Sequence, residues 1–141
     1  MGLRRQARER AIQALYQLDS IGALNAEAAA EHLRVFWQAL DPQEPEIEAM
    51  SMPLIEGVLS CVAELDRTVE EVSTHWRVAR MAKVDRNVLR LGTYELLHRS
   101  DVPPKVAINE AIDIARTYGS EESGAFINGI LDKIALRVTP S

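Results

Sequence analysis

None of the three histidines of this 141-residue chain, His32, His75 and His98, has a metal-ligand spacing with another histidine or with the single cysteine. Cys61 sits in the apolar run Leu59-Ser60-Cys61-Val62-Ala63, where a packed, inert thiol is expected rather than a nucleophile. None of Ser51, Ser60, Ser73, Ser100, Ser120 or Ser123 lies in a nucleophile elbow. Gly119, Gly124 and Gly129 recur every five residues within helical sequence and follow no strand, so they do not form a phosphate loop. The composition therefore predicts no catalysis, no cofactor and no metal site.

Binding chemistry has better material. Arg4, Arg5 and Arg8 give one short segment three guanidinium forks suited to phosphate oxygens. The 119–123 turn, GSEES, should expose backbone N–H groups at a helix N-terminus, a second donor site for phosphates or base edges. Phe126, one turn further on, has two roles open to it: stacking on a splayed base, or core packing. Asn128 can read a base edge or tie down a helix contact. Glu122 repels phosphate, yet a carboxylate accepts from a base amino group. Stacking and edge contacts without a recognition helix suit single-stranded RNA better than a duplex.

Charge distribution supports this although the net charge is −5. Residues 1–10 carry a net +3 and residues 77–105 a net +4, whereas residues 19–75 carry −10 and residues 106–141 carry −2. A fold that joins the two basic segments makes a positive face on an acidic protein, and local charge governs phosphate attraction within a Debye length. Taken singly, each basic block also reads as a solvated helix face.

The elements that must position these groups are helical. Alanine and leucine are plentiful and no alternating strand pattern occurs. Residues 3–20 form an amphipathic helix at about 100° per residue, with Ala7, Ala11, Ala14, Leu15 and Leu18 inward and the arginines on an adjoining arc. Tyr16 lies off that stripe, available to a partner. A second helix at 25–40 takes Asn25 as N-cap. A turn follows at 41–45. The next helix, about 46–62, is either kinked at Pro53 or restarted there. Further helices are expected at 64–76, 83–99, 104–118 and 121–137. Gly119 should close the sixth in a left-handed conformation, and Ser120 should cap the seventh with Glu121 and Glu122 in its first turn. The result is an all-α bundle of about seven helices, one domain made of two packed sub-bundles, 1–76 and 77–141. A cytoplasmic protein is expected: no apolar h-region follows the N-terminal arginines, and no stretch is long enough to span a bilayer.

Particular strings carry a family resemblance. They are Arg4-Arg5, Ala7-Arg8-Glu9 and Gln13-Ala14-Leu15-Tyr16 at one end. At the other are Tyr94-Glu95-Leu96, Arg99-Ser100-Asp101-Val102-Pro103, Lys105-Val106-Ala107-Ile108-Asn109-Glu110-Ala111 and Phe126-Ile127-Asn128-Gly129-Ile130-Leu131-Asp132-Lys133. In order and spacing they resemble the NusB family of bacterial transcription antitermination factors, over about half the chain.

The resemblance implies an all-helical, two-half architecture. It also implies binding of boxA RNA together with NusE, a small-subunit ribosomal protein, and loading onto RNA polymerase in ribosomal RNA operons. By the same resemblance, Arg4, Arg5 and Arg8 contact RNA, as do Gly119, Ser120, Glu122, Ser123 and Phe126, while Tyr16 and Asp85 face NusE; Asn128 joins the candidate RNA residues on its own chemistry. The chain departs from the pattern at Gln6, which interrupts the arginine run, and at Gly124-Ala125, where a lysine is common. Both departures predict weaker unaided RNA affinity. Two rivals stand beside this reading. One is the RNA-recognition domain of an RNA cytosine methyltransferase, which needs a further Rossmann-type domain although the chain stops at Ser141. The other is a structural homodimer whose interface covers the basic face.

Overall fold

Small residues set the first helix against its neighbour. The computed structural model describes residues 2–40 and 45–138. In it, α1 (Leu3–Ser20) buries Ala7, Ala11, Ala14, Leu15 and Leu18, the stripe that the periodicity marks. α1 packs chiefly along α3 (Pro45–Ser60), and its alanines let the two backbones approach. The approach is close enough for Ser51 Oγ on α3 to donate to the Ala7 carbonyl of α1 at 2.9 Å, inside the core. α2 (Ala26–Ala39) begins at Asn25, whose side chain accepts from the Ala28 N–H at 2.8 Å, as the sequence predicts. It contributes Ala29, Leu33 and Phe36 to the core and is fixed by His32 to Gln17 of α1 (2.8 Å) and by Trp37 Nε1 to Met52 Sδ of α3 (3.1 Å).

α3 runs continuously through Pro53 rather than restarting there. Of the turn expected at 41–45, residues 41–44 lie outside the described residues, and Pro45 is the first residue of α3 instead. The helix breaks at Cys61, where Ser60 Oγ and Cys61 Sγ both donate back to the Gly57 carbonyl, at 2.7 and 3.3 Å. Hydroxyls and thiols that bond into the preceding turn compete with helix continuation. Cys61 is half-buried.

The chain divides into two compact units, Met1–Val62 and Ala63–Ser141. The sequence reading puts that boundary near residue 76. Residues 63–76 go instead with the second unit, because α4 (Val62–Val72) is tied into it by side chains. Asp66 accepts two hydrogen bonds from Arg90, Glu64 meets His98 at 2.6 Å, and Glu71 accepts from Arg137 at 2.8 Å. α4 also stops at Val72, four residues short of expectation. The Glu70 carboxylate accepts from the Val78 N–H at 2.8 Å, which turns the chain into a short 3₁₀ turn at Val78–Arg80.

Within the second unit, α5 (Lys83–His98), α6 (Pro104–Tyr118) and α7 (Ser123–Val138) pack on one another pairwise. Ile114, Ile127, Leu131 and Ile134 are fully buried, with Val88 and Leu89 of α5. Past the end of α5, Arg99 donates from Nε and Nη2 to the two Asp101 oxygens at 3.0 Å, which raises its guanidinium pKa further. Pro103 and Pro104 then start α6 where the sequence predicts. Among the described residues there are seven α-helices, one 3₁₀ turn and no strand. No described helix is long and apolar enough to cross a membrane.

Candidate nucleic-acid interface

The arginines of α1 differ in exposure. Arg4 is exposed, Arg5 is half-buried, and Arg8 is only 7% exposed. Arg5 and Arg8 both engage other groups within the protein. Arg4 is thus the member of the run best disposed to meet a phosphate. Arg8 turns inward because it sits beside Ala7 and one turn from Ala11 and Ile12, on the edge of the buried stripe. Spacing places all three on one arc; packing decides how much of each guanidinium stays wet.

The corner between α6 and α7 departs from expectation in three ways. Gly119 is not left-handed: its φ is −103° and ψ −147°. Glycine is needed for close approach, since a Cβ there would fall 2.5 Å from Ser123 Oγ and 2.8 Å from the Ala115 carbonyl. Second, Ser120 does not cap α7. Ser123 is the clasp instead: its Oγ accepts from the Ser120 N–H at 2.9 Å, while its own N–H donates to the Ser120 carbonyl at 3.1 Å. Glu121 and Glu122 therefore precede the helix rather than occupy its first turn. Third, the N–H groups of Gly119, Ser120 and Ser123 are consumed within the protein, Gly119 donating to Ala115 at 2.8 Å. Ser123, at 1% exposure, shapes the corner from beneath.

Gly119, Ser120, Glu122 and Asn128 are exposed, and Phe126 is half-buried, between its two roles. A residue missed from sequence joins them. Arg116 of α6 lies across Gly124, where a Cβ would come within 2.7 Å of its Nε. The corner thus holds a cation although position 124 is not lysine. The exposed 3.6-residue arc of α6 was the available signal, but its meeting with Gly124 depends on tertiary packing.

The two residues expected to face a protein partner are also accessible to different degrees. Tyr16 is 41% exposed on α1. Asp85 is half-buried in the first turn of α5, where negative charge suits the helix dipole. Its Oδ1 is buried and finds no hydrogen-bond donor among the described residues.

The sequence pattern described as the NusB family matches residues 5–136. This chain belongs to the NusB family. It is 53% identical to the transcription antitermination protein NusB of Anaeromyxobacter sp. (strain Fw109-5), over 99% of this chain and 95% of that protein. The structure of T. maritima NusB is similar at a TM-score of 0.83 and 36% identity, covering 97% of this chain and 93% of that one. A chain from the crystal structure of antitermination factors NusB and NusE in complex with dsRNA superposes at a TM-score of 0.83 and 26% identity, covering 97% and 98%. The all-α NusB fold read from the sequence is the fold observed.

Proposed function

We propose that this protein is a transcription antitermination factor that binds boxA-type RNA together with NusE and acts on RNA polymerase in ribosomal RNA operons. The observation that carries the reading is the match, along nearly the whole of both chains, to an antitermination NusB. That match favours antitermination over the methyltransferase alternative. The solved NusB–NusE–dsRNA complex supports the pairing of an RNA and a NusE partner for this chain.

The mechanism is assembly without catalysis. Arg4 and Arg5 of α1 capture phosphates, and the 119–123 corner, with Arg116, Phe126 and Asn128, reads a short stretch of bases. Tyr16 and Asp85 contact NusE; the unsatisfied Asp85 oxygen is the kind of buried acceptor that gains from a donor. Two modest contacts on one RNA–protein assembly reinforce each other through effective concentration. Asn128 and Glu122 read base edges, which are free in a single strand and masked by pairing in a duplex, so the preferred substrate is single-stranded.

Titration of labelled boxA RNA, single-stranded and as a duplex, with and without NusE and at two salt concentrations, tests this. Tighter single-strand binding in the presence of NusE, with Arg4→Ala and Arg5→Ala flattening the salt dependence, is the expected result. No RNA binding in either condition, or self-association that NusE and RNA leave untouched, refutes it and returns the homodimer reading.

A further inference from the structure

We propose a second single-stranded RNA contact on this protein, in the connection between α4 and α5, where Trp76 stacks a base and Arg77 and Arg80 hold the flanking phosphates. The inference deepens the RNA-binding reading and rests on it. Trp76 is 54% exposed although a tryptophan ordinarily hides most of its surface. The turn that follows it is held in place. Val72 and Val78 are buried on either side of the exposed stretch 74–77, and Met81 is buried further on. Glu70 holds the Val78 N–H, and Arg86 Nη1 donates to the Ala79 and Met81 carbonyls at 3.2 and 3.5 Å. The backbone from Val78 to Met81 is thus pinned, and just before it the indole faces water.

The surroundings favour a nucleic acid over a protein partner. His75, Arg77, Arg80 and Lys83 are all exposed in the same stretch of chain as Trp76. Among the described residues, the side chains of Arg77 and Arg80 have no hydrogen bond or ion pair. Of the carboxylates at the end of α4, Glu71 is taken up by Arg137, and Glu70 is held on the Val78 N–H rather than on either arginine. With Val78 and Met81 turned inward, the indole is the one large apolar group the segment offers, which is too little to form the desolvated centre of a protein interface. An isolated π face among cations is what a base and its two phosphates require.

The full chain, titrated with labelled single-stranded boxA RNA in the absence of NusE, tests this. Trp76→Ala should weaken binding roughly fivefold to a hundredfold, and Trp76→Phe should retain most of the affinity. Replacing both Arg77 and Arg80 with alanine should lower the salt slope by about 1.4, at roughly 0.7 per lost phosphate contact on a single strand. In a Trp37→Phe background, RNA should quench the remaining indole emission. The proposal is overturned if these variants bind as the unaltered protein does while Arg4→Ala still weakens binding; the RNA-binding reading then survives without this contact. It is equally overturned if Trp76→Ala weakens NusE association and leaves RNA affinity alone. Failure of the unaltered protein to bind RNA at all removes both readings together. Circular dichroism on each variant separates loss of contact from loss of fold, and Trp76→Phe with the double arginine variant decides the matter if Trp76→Ala does not fold.

Discussion

Arg116 on α6 lies against Gly124 on α7, so closely that a Cβ at position 124 would sit 2.7 Å from its Nε and 3.0 Å from its Cγ. The bare backbone is what lets the guanidinium rest over the first turn of α7. A cation is poorly matched to the positive end of a helix and gains nothing from the dipole there. An anion brought to the corner would meet both. Arg116→Ala should therefore weaken RNA binding about equally across sequences and lower the salt slope by about 0.7. Gly124→Ala should act in the same direction by displacing the side chain. Unchanged slopes in both variants would place Arg116 outside the interface.

Arg90 and Asp66 join α5 to α4 through a two-bond fork, Nε to Oδ1 at 2.8 Å and Nη2 to Oδ2 at 3.0 Å. Arg90 also donates to Asn87 Oδ1 at 3.0 Å, so its charge is well satisfied. Its side chain is 7% exposed and that of Asp66 26%. Removing the carboxylate strands a buried guanidinium. Asp66→Ala should lower unfolding stability by about 2–3 kcal/mol, less than the roughly 3–5 of a fully enclosed pair because Asp66 keeps contact with water. Urea unfolding followed by circular dichroism measures it; a midpoint equal to that of the unaltered protein would show that the fork adds nothing.

Local patterns in the sequence carry the helices well and the connections poorly. α1, α2 and α6 begin where the apolar stripe, Asn25 and the Pro103-Pro104 pair say they should, since each signal lies within one turn of the end it marks. The end of α4 and the 3₁₀ turn are set by Glu70 reaching eight residues ahead to Val78, which no periodicity reveals. The same division runs through the candidate site. Arg4, Gly119, Glu122 and Asn128 are exposed. Arg8 and Ser123 turn inward for reasons of packing, and the pairing of Arg116 with Gly124 exists only once α6 and α7 meet.

Ser123 supplies a test of how the corner is held. Its buried hydroxyl accepts from the Ser120 N–H at 2.9 Å and lies 3.2 Å from Ser120 Oγ. Ser123→Ala leaves that N–H without its partner and should cost about 1 kcal/mol. Amide hydrogen exchange at Ser120 should accelerate while amides in the middle of α6 and α7 keep their protection. If exchange at Ser120 does not change, the clasp is not what orders the turn.

The two ends of the arginine run on α1 should respond oppositely to substitution. Arg4 is exposed, so Arg4→Ala should change stability by no more than about 0.5 kcal/mol yet lower the RNA salt slope by about 0.7. Arg8 is 7% exposed and engaged inside the protein, so its alkyl stem and guanidinium both contribute to packing. Arg8→Ala should cost about 2 kcal/mol in unfolding stability, while the folded fraction keeps nearly the original salt slope. Denaturant melts and RNA titrations on the same two variants provide both readouts. If Arg8→Ala flattened the salt slope as much as Arg4→Ala and left stability intact, the guanidinium would have to leave its buried seat to meet the RNA, and the division of labour along α1 would be wrong.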